Sequence, residues 1–227
     1  MRLLRGRADD HERDYRRTRE LVARVAADRE PALRVWTPHR QVAFGRRDRR
    51  ADGYDRARAA ATERGYPVLE REVGGRAVAY SGTTVALALA EPTADGRDGI
   101  QARYDRVTDA VRVALRDLGV DARDGEPPDA FCPGTHSLQA DGKLVGLAQR
   151  VRQSVALTAG VVVVRDHAEI AAVLDPVYAA LDVSFDPDSV GSIARAGGDD
   201  DPATVRHALE DALVGEATVR IERIRDT

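Results

Sequence analysis

The fold of this chain is decided by residues 131–164, which read FCPGTHSLQADGKLVGLAQRVRQSVALTAGVVVV. Two apolar segments in its second half, Lys143–Arg152 and Ser154–Val164, predict paired strands, the second of them buried. The same stretch contains the only cysteine of the chain, Cys132, and its only lysine, Lys143, although lysine and arginine together number 35. We therefore predict that the active site lies here.

A single lysine among many arginines indicates that its position needs an ammonium. An ammonium is a compact charge, whereas a guanidinium is a broad planar fork. Cys132 adds a nucleophilic thiol, which either Lys143 or His136 could activate, and His136 could carry a proton. The alternative stays open at this point, because a lone cysteine is often only a small buried apolar residue.

Composition excludes several classes of protein. The 227 residues are 43% hydrophobic and 32% charged, which predicts a globular protein with a substantial core. The net charge of −3 and the 4% aromatic content argue against binding of nucleic acid. No apolar run approaches the roughly 20 residues that span a bilayer, and the N-terminus lacks a signal-peptide pattern. One cysteine without a disulfide partner is typical of the cytoplasm, and the histidines show no metal-ligand spacing.

The rest of the chain alternates predicted helices and strands. We expect one α+β domain over residues 1–227, with a mixed, largely antiparallel central sheet flanked by helices. The predicted helices are Asp10–Arg29 with Asp10 as N-cap, Tyr54–Arg64, Ile100–Leu118, Ala168–Leu181 and Ala203–Val214. The other predicted strands are Ala32–Trp36, Gln41–Phe44, Pro67–Arg71, two strands joined near Ser81 within Arg76–Ala90, and Ala217–Ile224.

A second candidate for function is the Gly-Gly segment, Arg71-Glu72-Val73-Gly74-Gly75-Arg76-Ala77-Val78. Two glycines between strands let backbone amides approach a ligand closely, and arginines can bind a carboxylate or phosphate with two hydrogen bonds. By itself this pattern is weak, because a hairpin bulge with exposed arginines would look the same.

Together these segments resemble the lipoate–protein ligase and octanoyltransferase family, whose catalytic domain is shared with biotin–protein ligases. Residues 42–48, VAFGRRD, resemble an early strand and turn of that family, and residues 71–78 resemble its R-x-x-G-G-R-A-V loop. Residues 142–150, GKLVGLAQR, resemble its G-K-hydrophobic-x-G-x-A-Q-R signature. The resemblance is strongest over residues 36–164. Tyr80 departs from it, since the family often has a histidine there.

The resemblance implies a mixed sheet with flanking helices and a set of site residues. Lys143 is implied to contact the acyl carbonyl or acyl-adenylate, and the FCPG segment resembles the branch in which a cysteine, here Cys132, forms an acyl-thioester. The implied substrate-binding residues are Arg71, Gly74, Gly75, Arg76, Ala77, Val78, Gly142, Gly146, Ala148 and Gln149.

Three functions follow from this resemblance as hypotheses. The first is transfer of a lipoyl or octanoyl group through Cys132 onto a lysine of a lipoyl-domain acceptor, either a glycine-cleavage H protein or an E2 subunit. It needs no cofactor beyond the transferred lipoate or octanoate and an acyl-carrier or lipoyl donor. The second is an ATP-dependent lipoate–protein ligase, which needs ATP and Mg and proceeds through lipoyl-AMP. The third is a non-catalytic module that binds lipoate or an acyl carrier.

Overall fold

The computed structural model describes residues 1–71, 74–94, 99–152 and 154–224. Within this part of the chain there are five α-helices, all in the predicted places: α1 (His11–Asp28), α2 (Tyr54–Glu63), α3 (Ile100–Asp117), α4 (His167–Ala180) and α5 (Pro202–Val214). The described strands are β1 (Arg2–Arg5), β2 (Ala32–Trp36), β3 (Gln41–Phe44), β4 (Val68–Glu70), β5 (Val78–Tyr80), β6 (Val85–Pro92), β7 (Arg123–Asp124), β8 (Ser137–Gln139), β9 (Lys143–Arg152), β10 (Val155–Val162) and β11 (Arg220–Arg223). No helix among these is long and apolar enough to cross a bilayer.

The strands form two sheets. The larger has the order β11-β1-β2-β6-β10-β9-β8-β7, with parallel pairing only where β1 meets β2 and β11. This confirms the predicted mixed, largely antiparallel sheet, and β9 and β10 pair as expected.

The smaller sheet, in the order β4-β3-β5, was not predicted. The strands β5 and β6 follow one another in sequence as expected, but they belong to different sheets. The strand β1 was also missed, because its arginines do not show an apolar pattern. Burial of its Arg2 depends on carboxylates that are distant in sequence, those of Asp28, Glu30 and Glu222.

The two faces of the large sheet differ in side-chain size. Along β6, large residues alternate with alanines in the sequence VALALA, residues 85–90. Because side chains of a strand alternate between faces, all the large residues point to one side. There they form the main core with residues of α3 and α5, such as Val111, Leu115 and Leu209. The alanines point to the other side, towards α1.

One buried arginine links α1 to the large sheet through an ion pair and hydrogen bonds. Asp10 caps α1 as predicted, accepting a hydrogen bond from the backbone of Arg13 at 2.8 Å. The Arg34 side chain of β2 is fully buried, pairs with the Asp14 carboxylate and donates to the Thr18 hydroxyl at 2.9 Å. Its guanidinium also lies 4.2 Å from the centre of the Trp36 ring. The position of α1 over the sheet therefore depends on a charge pair.

We expect Arg34→Ala to lower the free energy of unfolding by about 3–5 kcal/mol, because it leaves the buried Asp14 carboxylate without its partner. Urea denaturation of the wild type and the variant would measure the difference. Arg64→Ala on the exposed end of α2 is the control and should change stability by less than about 0.5 kcal/mol. An equal effect of both substitutions would contradict the assignment.

Candidate active site

A cavity of about 870 Å³ lies between the two sheets and against α1. Small residues of the large sheet form its floor, with Ala159 paired to Ala148 on one side and to Ala88 on the other. Their methyl groups leave the space that larger side chains would fill. The small sheet forms the facing wall through Gln41, Ala43, Leu69, Val78 and Tyr80. The lining is mostly apolar, so it suits a hydrocarbon chain.

Cys132 lies on the wall of this cavity, in the loop 131–136 that precedes β8. Its backbone is in the left-handed region, with a φ of 44°. The Cys132 amide donates to the hydroxyl of Tyr178 at 2.6 Å, and that hydroxyl donates to the carbonyl of Ala77 at 3.0 Å. Burial raises the pKa of Tyr178 well above its usual range, so the hydroxyl keeps its proton. Tyr178 thus joins the cysteine loop to the Gly-Gly segment.

The cation that contacts the Cys132 sulfur is Arg71. Its Nη2 lies 3.3 Å from Sγ and also donates to the carbonyl of Arg76 at 2.5 Å. Burial works to lower the pKa of Arg71, but interaction with Cys132 and Tyr80 outweighs it and the pKa is raised. Gly75 is close to both groups, since a β-carbon there would lie 2.5 Å from Sγ and 2.9 Å from Nη2 of Arg71. Arg71 can therefore stabilise negative charge on the sulfur.

Lys143 contacts the backbone of the cysteine loop instead of the sulfur. Its ammonium is fully buried and donates to the carbonyls of Phe131 at 2.9 Å and Cys132 at 2.8 Å. Its third partner is the carboxylate of Glu126, at 2.6 Å. This differs from the expectation that Lys143 or His136 lies beside the thiol. The ammonium lies next to Gly146, since a β-carbon added to this glycine would be 3.7 Å from Nζ.

Most of the other predicted site residues also line the cavity: Gly74, Gly75, Val78, His136, Gly146, Ala148 and Gln149. His136 stacks on Tyr104 with the ring centres 3.6 Å apart. The backbone N–H of Gln149 donates to the Tyr104 hydroxyl at 2.7 Å.

Three predicted residues lie beside the cavity. Gly142 packs against Gly191, the buried Ala77 accepts the hydrogen bond of Tyr178, and Arg76 pairs with Asp48 at 3.3 Å. Glu72 and Val73 of the Gly-Gly segment lie outside the described residues.

The FGRRD turn and the Gly-Gly segment contact each other next to Cys132. Gly45 packs against the carbonyl of Gly75, and its amide donates to Asp48 at 2.9 Å. The buried Asp48 in turn accepts from Arg76 of the Gly-Gly segment. Burial raises the pKa of Asp48 despite these hydrogen bonds. The FGRRD turn therefore supports the Gly-Gly segment, which in turn contacts Cys132.

Two residues of the site had no sequence signal. Tyr178 lies in α4 and has the pattern of an ordinary core aromatic, while Glu126 lies in a polar loop next to Pro127. Tyr178 is recognised only from its contact with Cys132, and Glu126 only from its contact with Lys143. Among the described residues, no group of three His, Cys, Asp or Glu side chains is arranged to hold a metal ion.

Comparison with known proteins identifies the family of this chain. The sequence model of the lipoyl protein ligase A/B catalytic domain matches residues 11–214. The chain belongs to this family. The family that the sequence motifs indicated is thereby confirmed, and the boundaries of the catalytic domain stay a prediction.

Two curated relatives show what kinds of enzyme are similar. An octanoyl-[GcvH]:protein N-octanoyltransferase of Exiguobacterium sp. is 29% identical over 142 residues, which is 62% of this chain and 50% of that protein. A lipoyl-[GcvH]:protein N-lipoyltransferase of Listeria monocytogenes is 27% identical over 133 residues, covering 58% and 47%. The chain spans about half the length of the curated relatives it matches.

Two solved structures share the fold. A lipoate-protein ligase A bound with ATP superposes with a TM-score of 0.77 at 21% identity, covering 99% of this chain and 89% of the other. A putative lipoate protein ligase of T. acidophilum with bound lipoic acid has a TM-score of 0.75 at 23% identity, with the same coverage. At these identities they establish the fold alone, a mixed sheet with flanking helices as predicted.

The position of Gly146 gives a test of whether Lys143 acts on the cavity. We expect Gly146→Ala to fold normally, because its methyl would lie 3.4 Å from the Lys143 Cε, an ordinary contact distance. The three N–H groups of Lys143 are already bound, so only its charge can act on the cavity, and the added methyl would keep a ligand further from that charge. A unit charge at 4 Å contributes about 1–4 kcal/mol, so kcat for acyl transfer should fall at least about fivefold. Steady-state kinetics measure this, with thermal unfolding as the control. A wild-type kcat would show that Lys143 acts only on the loop.

Proposed function

We propose that this protein transfers a lipoyl or octanoyl group onto a lysine of an acceptor protein through a thioester on Cys132. The observation that carries the proposal is the Cys132 sulfur, which lies on the wall of an apolar cavity within hydrogen-bond distance of Arg71. The curated relatives are named as octanoyl and lipoyl transferases, which supports transfer of these groups.

The reaction divides into two displacements. The Cys132 thiolate attacks the acyl carbonyl carbon of the donor, the bond from that carbon to the donor's leaving atom breaks, and the leaving atom takes a proton. The amine of the acceptor lysine then attacks the thioester, the C–S bond breaks, and the amine proton returns to the sulfur. Two moderate barriers replace one high barrier.

Two cations are placed to stabilise the negative oxygen that forms in each step. Arg71 lines the cavity, and its Nε is a buried donor without a hydrogen-bond partner among the described residues. Lys143 has its three N–H groups bound to Glu126 and to the carbonyls of Phe131 and Cys132, so it would act on the oxygen through its charge alone. Its ammonium comes closest to the cavity at Gly146, which has no side chain. A fixed positive donor stabilises developing charge more effectively than water does, because it needs no reorganisation. His136, stacked on Tyr104, remains the candidate proton carrier.

The acceptor we propose is a lipoyl domain, either that of a glycine-cleavage H protein or that of an E2 subunit. The curated relatives are named for action on GcvH, and one structural neighbour is described as a bi-partite lipoate protein ligase with its E2 lipoyl domain. The donor is an acyl carrier or a lipoyl protein. A reducing compartment such as the cytoplasm would keep Cys132 as the free thiol that the reaction needs.

The nucleophile is tested by Cys132→Ala. We expect the wild type, incubated with an octanoyl-carrier donor, to gain one octanoyl group that hydroxylamine removes, and the variant to gain none. Transfer to an H protein should fall at least about 10³-fold in the variant, as for loss of other covalent nucleophiles. Intact-mass spectrometry follows both the octanoyl adduct on the enzyme and the octanoyl group transferred to the H protein.

The same assay decides between the alternatives. Retained lipoylation by Cys132→Ala with lipoate, ATP and Mg would contradict the thioester route and favour an ATP-dependent ligase. The ATP-bound structural neighbour favours that candidate, as do Arg16, Arg19, Arg150 and Arg152, which line the cavity and could bind phosphates. Absence of both adduct and transfer under all conditions would leave the non-catalytic binding module.

The place of the acyl chain is tested by Ala159→Leu. Three added carbons on the cavity floor should displace about three methylenes of an octanoyl chain, each worth ~0.8 kcal/mol when buried. We therefore expect kcat/KM for octanoyl transfer to fall roughly 50-fold.

A butanoyl donor is the internal control for this variant, because its short chain would not reach the added side chain. Its kcat/KM should change less than threefold. An equal loss for both donors would place the acyl chain elsewhere in the cavity.

A further inference from the structure

Glu126 contacts the segment that follows Cys132 at two residues and also binds Lys143. Its Oε2 accepts hydrogen bonds from the Lys143 ammonium at 2.6 Å and from the Ser137 hydroxyl at 2.8 Å, while Oε1 accepts from the Gly134 amide at 2.9 Å. The Glu126 side chain is only 18% exposed and does not line the cavity. It therefore acts on the loop and on Lys143, and not on a ligand.

The three donors of the Lys143 ammonium are accounted for by Glu126 and by the carbonyls of Phe131 and Cys132. These two carbonyls flank the backbone of Cys132, which is in the left-handed conformation that costs free energy for a residue with a side chain. The contacts of Lys143 hold that conformation, and the charge of Lys143 is balanced by Glu126. The direction of the Cys132 side chain thus depends on the Glu126 carboxylate.

We propose that Glu126 is a positioning residue for acyl transfer: with Lys143 it clamps residues 131–137 so that the Cys132 sulfur stays beside Arg71. This inference rests on the proposed function. Loss of the carboxylate leaves the cavity intact, so binding of the acyl donor is retained. It frees the loop and leaves the Lys143 ammonium without a counter-charge, so the nucleophile is misplaced and turnover is lost.

The test compares Glu126→Gln with the wild type. The variant should lower kcat for octanoyl transfer at least 30-fold while KM for the octanoyl-carrier donor stays within threefold. Hydrogen–deuterium exchange of peptides covering residues 131–137 should be at least tenfold faster. Glu91→Gln is the matched control, since Glu91 is paired with Arg106 and is similarly exposed, at 24%; it should change kcat less than twofold.

A double-mutant cycle separates positioning through Lys143 from an independent structural role. Glu126→Gln combined with Lys143→Met should give exchange over residues 131–137 no faster than either single variant. Additive acceleration would overturn the proposal, as would a wild-type kcat in Glu126→Gln or a loss expressed mainly in KM. If Glu126→Gln does not fold, Glu126→Asp serves in its place, and its kcat should fall between the wild type and Cys132→Ala.

The exchange measurement needs no acyl donor, so it judges the clamp separately from the proposed function. If the wild type forms no thioester with any donor, the proposed function fails, while faster exchange in Glu126→Gln would still establish the clamp. If the thioester forms but exchange is unchanged in the variant, the clamp fails and the proposed function stands.

Discussion

The site depends on one buried ammonium beneath a loop. Lys143 is fully enclosed, and its three hydrogen bonds all end on the segment between Glu126 and Cys132. An arginine could not replace it, because a planar guanidinium would not fit three acceptors around one nitrogen. This explains why a chain so rich in arginine has lysine at this place. The Lys143 side chain connects strand β9 to Cys132 in the loop.

The large sheet serves the core and the cavity at the same time. The alternation of β6 directs leucine and valine towards α3 and α5 and directs alanine towards α1. The face that carries the leucine and valine side chains buries apolar surface, and this burial stabilises the fold. On the other face the small residues leave an unfilled space, which is kept open because Arg34 and Asp14 hold α1 above the sheet. The main core and the cavity therefore lie on opposite sides of the same strands.

Sequence patterns located the helices, the pairing of β9 and β10 and the cavity-lining residues of three motifs. Helical periodicity and the Asp10 cap are local signals, so they could be recognised without coordinates. The second sheet was missed, because nothing local shows that β5 turns away from β6. The contact of Arg71 with the sulfur was missed for the same reason, since 61 residues separate Arg71 from Cys132.

The amino-acid sequence by itself determined the family and the mixed sheet with its helices, and it singled out Cys132 and Lys143 as candidate site residues, because these rest on local order and on residue identity. Only the tertiary structure decided which cation contacts the sulfur and which contacts the loop. It also revealed the contacts of Tyr178 and Glu126, which join residues distant in sequence. Hydrogen bonds and ion pairs act over about 3 Å, so their partners are set by packing and not by distance along the chain.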